Sequence, residues 1–69
     1  MLKFTYRKLR GKIVEVFGTN YRFAEALDIS ENSLSKKLNG KTNFNQSDII
    51  EWCSLLNIPI EEAGIYFFS

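Results

Sequence analysis

The fold is decided by residues 19–40, which read TNYRFAEALDISENSLSKKLNG and predict two short helices separated by a tight turn. In the first helix, Phe23 and Leu27 form an apolar edge at helical spacing. The small Ala24 lies on the same side and leaves room for a neighbouring helix to come close. Ser30 is placed to cap the second helix, because its oxygen can accept backbone N–H groups that a first turn leaves unpaired.

The second helix carries mostly polar and cationic side chains around one apolar pair, Leu34 and Leu38. Such a helix adds little to a core but suits the grooves of DNA, where side chains read base edges. Asn39 and Gly40 end it. The stretch therefore predicts a helix-turn-helix with a core at 19–40, in which the second helix is the recognition helix.

The flanking segments predict three more helices, over residues 5–17, 46–56 and 60–67. Thr5 is the expected cap of the first, and Phe4 before it can pack on Leu9 as a hydrophobic staple. Asn45, with an acid three residues later, resembles a capping box. Pro59 sets the start of the last helix.

Five short helices without a convincing alternating pattern predict an all-α fold, a single compact five-helix domain over residues 1–69. A strand competes with helix over residues 65–68, which are rich in β-formers. The chain is near the lower size for a core without staples. Its six Phe, three Tyr and one Trp supply large side chains for that core.

Composition excludes several chemistries. One cysteine and no histidine rule out an internal disulfide, a Cys/His zinc site and a Ser/His or Cys/His nucleophile pair. Cys53 lies in an apolar helical pattern and is interpreted as a buried, unreactive thiol. No cofactor, metal or small-molecule ligand is expected, and nothing indicates an enzyme. Without a signal peptide or a membrane-length apolar run, a cytoplasmic location is expected.

Charge is divided unevenly along the chain, although the net charge is only +1. All nine Lys and Arg lie in residues 1–41 with four acids, whereas residues 42–69 hold four acids and no basic residue. A chain polarised in this way can offer a positive face to phosphates. The basic face of the first helix is either solvated or a second contact with phosphates.

Residues 19–41 resemble the helix-turn-helix of the lambda-repressor-like family (Cro/C1, or XRE-type), and the continuation resembles short phage proteins of Gram-positive hosts. The resemblance rests on Thr19, Phe23-Ala24, Leu27, Ile29-Ser30, Ser33-Leu34-Ser35, Asn39-Gly40-Lys41, Phe44 and Asn57-Ile58-Pro59. It implies base contacts from Glu31, Asn32 and Lys36. It implies backbone contacts from Asn20, Ser33, Ser35, Lys37, Asn39 and Lys41. Asn20 stands where the family often has glutamine, and Lys37 where it often has an apolar residue.

The resemblance implies a Cro-like regulator that binds double-stranded DNA and blocks a promoter by occupying an operator. A homodimer would match two half-sites ~34 Å apart. The apolar excess near the C-terminus is either a dimer surface or ordinary core; its residues are Trp52, Ile65, Tyr66, Phe67 and Phe68. The alternative is a protein-binding module on the same fold, an antitoxin or a modulator that captures another regulator. The acidic, aromatic C-terminal third would then be the active surface.

Overall fold

A computed structural model describes residues 6–68, which form five α-helices and one short 3₁₀ helix. The α-helices are α1 (Arg7–Phe17), α2 (Asn20–Leu27), α3 (Glu31–Leu38), α4 (Gln46–Leu56) and α5 (Ala63–Phe67). The described residues contain no strand, so the all-α prediction is confirmed. The C-terminal segment is helical as far as Phe67, and the competing strand interpretation is wrong.

The helix ends agree with the sequence in the middle of the chain and differ at its two ends. α1 begins at Arg7, after Tyr6 in a left-handed conformation with φ 55°. The predicted cap Thr5 and staple Phe4 lie outside the described residues. The last predicted helix, 60–67, is a 3₁₀ turn (Ile60–Glu62) followed by α5.

The capping box of α4 is confirmed. The side-chain Oδ1 of Asn45 accepts the backbone N–H of Asp48 at 2.8 Å, and the Asp48 Oδ2 accepts the backbone N–H of Asn45 at 3.2 Å. Each side chain thus satisfies a donor that the first turn of a helix leaves without an intrahelical partner. The start of α4 is fixed by this exchange.

Aromatic rings fill the centre of the molecule, as the composition predicts. The ring of Trp52 on α4 packs edge-on against Phe23 of α2 and against Phe44, each with centroids 4.8 Å apart. Phe44 also meets Phe67 of α5 at 5.1 Å and Tyr6 at 5.5 Å. Phe44 therefore anchors the loop between α3 and α4 to the core. Edge-on aromatic pairs of this kind stabilise a fold by more than the area they bury.

Cys53 is buried in the same core, as predicted. Burial raises the pKa of its thiol, because the charged thiolate is poorly solvated there. The thiol is thus kept in its unreactive protonated form at neutral pH.

Candidate functional site

The turn between α2 and α3 positions α3 relative to α2. Asp28 takes up a left-handed conformation with φ 59°, and the N–H of Ile29 donates to the Ala24 carbonyl at 3.1 Å. Ile29, the next residue of the turn, is half-buried and packs against the core. Ala24 is 2% exposed, in keeping with its predicted role at a close helix crossing.

The capping residue of α3 determines where the helix begins, and its apolar pair determines which side packs on the core. The Ser30 Oγ accepts the backbone N–H of Ser33 at 3.1 Å, so the predicted N-cap is confirmed. Leu34 and Leu38 are both buried and hold one side of the helix on the core. Because they lie four residues apart, the remaining positions form a polar side that points away from the core.

The three residues predicted to read bases all lie on that polar side. Glu31, Asn32 and Lys36 are exposed. Asn32 and Lys36 are four residues apart and so share one face of the helix. We call the exposed residues of this helix and its end the α3 face; they are Glu31, Asn32, Ser33, Ser35, Lys36 and Asn39.

The residues predicted to contact the DNA backbone have diverse surroundings. Asn20 is half-buried at the start of α2, whereas Lys41 is exposed beyond α3. The Ser33 Oγ accepts a hydrogen bond from the Ser30 Oγ at 3.0 Å. Asn39 donates through Nδ2 to the Ser35 Oγ at 3.2 Å. These hydroxyl and amide groups are exposed, so a bound molecule can reach them.

Lys37 differs from these residues, because its ammonium donates hydrogen bonds to other groups of the protein. Its Nζ donates to the Asp48 Oδ2 at 2.9 Å and to the Asn43 carbonyl at 3.3 Å, and lies 5.4 Å from the centroid of the Phe44 ring. The side chains of Lys37 and Asp48 are only 21% and 22% exposed. The half-buried stem of Lys37 explains how a lysine stands at a position where an apolar residue was expected.

The carboxylate of Asp48 is correspondingly stabilised in its charged form. Burial by itself raises the pKa of this group, but hydrogen bonds from the Lys37 ammonium and the Asn45 N–H, with the positive charge of Lys37, lower the pKa overall. The Asp48 carboxylate is therefore charged at neutral pH.

The C-terminal end of α3 is held by Arg10 of α1, a contact that the sequence did not predict. Its Nη2 donates to the Leu38 carbonyl at 2.8 Å and to the Asn39 Oδ1 at 3.1 Å. A cation at the carbonyl end of a helix is stabilised by the helix dipole. Arg10, one residue of the basic α1 face, thus stabilises the fold. Another part is paired locally, since Lys12 meets Glu15 at 3.3 Å.

Charge on the surface of α2 and α3 is nearly balanced. Residues 19–41 hold four basic side chains, and one of them, Lys37, is paired with Asp48. The other three are Arg22, Lys36 and Lys41, and they stand against three exposed acids, Glu25, Asp28 and Glu31. These acids lie on α2, in the turn and at the start of α3. In helix-turn-helix proteins, the start of the recognition helix is the part that faces base edges.

The predicted dimer surface needs correction. Trp52 and Phe67 are each 1% exposed and belong to the core, so they offer no surface to a second copy. The core is small enough to need these rings inside. Tyr66 is half-buried, while Ile65 and Phe68 are 46% and 57% exposed.

Among residues 6–68, no helix is both long and apolar enough to cross a bilayer. Nor does that part of the chain gather three potential His, Cys, Asp or Glu metal ligands in one place.

The family described as "Protein of unknown function (DUF739)" matches residues 2–69, almost the whole chain. The chain belongs to this family. It is also similar to the solution structure of the modulator of repression (MOR) of the temperate bacteriophage TP901-1 from Lactococcus lactis, with a TM-score of 0.87 and 35% identity. The similarity covers 99% of this chain and 92% of that one. No curated protein matches the chain.

These similarities concern the predicted fold class and the predicted family. The structural match confirms the compact all-α fold, and neither similarity names an enzyme. Neither names the lambda-repressor-like family, so that narrower assignment stays a prediction.

Proposed function

We propose that this protein is a phage or prophage regulator that modulates repression by binding another regulatory protein. The observation that carries the proposal is the balance of charge around α3, where three exposed acids offset the three basic residues that are not paired within the fold. The similarity to a phage modulator of repression supports it, because that similarity runs along nearly the whole chain.

Binding to DNA depends on a surplus of positive charge, since each neutralised phosphate releases counterions. The surface of α2 and α3 has almost no such surplus. Glu25 on α2, Asp28 in the turn and Glu31 at the start of α3 would repel phosphates and so offset the attraction of the unpaired basic residues. A protein partner that offers arginines or lysines there gains from the same three carboxylates.

The α3 face is the surface we assign to the partner. Glu31 can pair with a basic side chain, Lys36 with an acidic one, and Asn32 can both donate and accept hydrogen bonds. A regulator that binds DNA has basic residues where it contacts phosphates. The DNA-binding surface of such a regulator can therefore pair with the acids of α2, the turn and α3. Binding there would compete with its operator.

The second candidate is operator binding in the Cro manner, favoured by the outward position of Asn32 and Lys36 on one side of α3. In that case Glu31, Asn32 and Lys36 would contact bases. The phosphate contacts would come from Asn20, Ser33, Ser35, Asn39 and Lys41. A homodimer would be needed to reach two half-sites.

Neutralising the three acids separates the two candidates. The triple variant Glu25→Gln, Asp28→Asn, Glu31→Gln is measured for binding to the repressor encoded by the same phage or prophage, and to the operator DNA of that repressor. We expect repressor binding to weaken by roughly tenfold, since opposite charges across the interface are lost. If operator binding is the function, the same variant binds DNA more tightly, because repulsion is removed.

The matched control is Glu51→Gln, Glu61→Gln, Glu62→Gln, which changes the charge equally at exposed sites of the acidic C-terminal third. It should leave repressor binding unchanged. Weakening by this control instead would move the partner surface to the C-terminal third. Steeply salt-dependent operator binding by the unaltered protein, with no binding to the repressor, would overturn the proposal.

A further inference from the structure

Lys36 and Lys37 are adjacent in the sequence but stand in different surroundings. Lys36 is exposed on the α3 face, whereas the Lys37 ammonium donates to a carboxylate on α4 and to a carbonyl in the loop between the two helices. The same Asp48 oxygen also accepts the backbone N–H of Asn45. One ammonium is thus joined to α3, the loop and the capping box of α4.

These contacts link α3 to α4 and to the loop between them. On the core side, α3 is held by Leu34 and Leu38. Two apolar side chains fix the depth of a short helix but leave its rotation about its own axis less constrained. The Lys37 contact lies to one side of that apolar pair, and its distance from Asp48 is short enough for a charge-assisted hydrogen bond.

We propose that Lys37 is a positioning residue, which fixes the orientation of α3 through Asp48 and the Asn43 carbonyl and does not itself contact the bound partner. The contact between Lys37 and Asp48 then sets the rotation of α3 that turns Asn32 and Lys36 away from the core. The functional consequence rests on the proposed role of the α3 face, but the positioning itself does not.

The first test is the reactivity of the lysine amines towards an acetylating reagent, followed by mass spectrometry of the free protein. We expect Lys37 to react several-fold more slowly than Lys36 and Lys41, because its ammonium is only partly exposed and is hydrogen-bonded. Asp48→Asn should raise the reactivity of Lys37 and leave that of Lys36 unchanged. Equal reactivity of Lys36 and Lys37 in the unaltered protein would overturn the proposal.

The second test is amide hydrogen exchange in a set of variants that keep the apolar stem of Lys37. In Lys37→Met, we expect exchange in α3 and the following loop to be about fivefold faster, with α1 and α2 little changed. Asp48→Asn should have a similar effect, and the double variant should be no faster than either single one, because both remove the same contact. Lys37→Arg should restore part of the protection, and Lys36→Met is the matched control without effect.

Additive effects of Lys37→Met and Asp48→Asn, or faster exchange spread over all five helices, would overturn the positioning role. Both tests use the free protein, so they can fail while the proposed function stands. Conversely, loss of repressor binding in the acid triple variant says nothing about Lys37. The two conclusions are therefore tested separately.

Discussion

At the scale of single residues, the ammonium of Lys37 on α3 lies 2.9 Å from the carboxylate of Asp48 on α4. Lys37 was predicted to contact DNA because it is a cation on the predicted recognition helix, yet its ammonium is bound to Asp48. The sequence could not show this, since the partner lies eleven residues away on another helix. Asn32 and Lys36, by contrast, are exposed where helical spacing places them.

The Lys37–Asp48 pair predicts a pH dependence of stability. The pKa of Asp48 is lowered in the folded protein, so its contribution is complete above the ordinary aspartate range and is lost as the pH falls through the lowered pKa. Asp48→Asn removes this contribution while retaining an oxygen for the Asn45 N–H. We expect it to cost on the order of 1 kcal/mol at neutral pH, and less as the pH falls below the ordinary aspartate range.

Urea unfolding of both proteins at neutral and acidic pH measures this difference. Lys37→Met should show the same convergence at low pH, since the partner charge is then lost in both proteins. A cost of Asp48→Asn that is unchanged in acid would mean that the carboxylate contributes nothing through its charge.

At the scale of elements, α3 depends on a small number of local interactions. Its N-cap is Ser30, whose side chain accepts the Ser33 N–H. Removing such a cap typically costs about 1 kcal/mol. For a chain of this size we therefore expect Ser30→Ala to lower the melting temperature by about 4–8 °C. Ser54→Ala, on the exposed side of α4, is the matched control and should leave the melting temperature unchanged or slightly higher.

Circular dichroism during heating of the two variants gives the comparison. Equal melting temperatures for Ser30→Ala and Ser54→Ala would show that the cap contributes little and that α3 is held by its packing and by the contacts of Lys37 and Arg10.

The elements that the sequence predicts well are those with local signals. α3 begins after its predicted cap, and the capping box of α4 is present, because each signal involves residues only three apart. The last helix was less well predicted, since nothing local distinguishes a 3₁₀ turn at Ile60–Glu62 from a continuous helix. Arg10 was missed for the same reason as Lys37: its contact with the end of α3 joins residues far apart in the chain.

At the scale of the whole molecule, aromatic residues serve the core before any interface. The radius of gyration of the protein is 11.0 Å, which is the value expected for a compact chain of this length. Trp52 and Phe67 are enclosed in the core, which removes two of the five residues from the predicted dimer surface. Composition alone could not distinguish the two uses, because a small core and a dimer surface both need large apolar side chains.

What remains of that surface predicts the oligomeric state. Ile65, Tyr66 and Phe68 together can bury only a few hundred Å² on each copy, short of the roughly 800 Å² per partner in a standard stable interface. We therefore expect sedimentation velocity to show a species of 8.0 kDa at tens of micromolar. The variant Ile65→Ser, Phe68→Ser should sediment identically. A stable dimer that this variant dissociates would contradict the expectation and favour the operator-binding candidate, since two-fold recognition of half-sites requires two copies, whereas capture of a regulator protein does not.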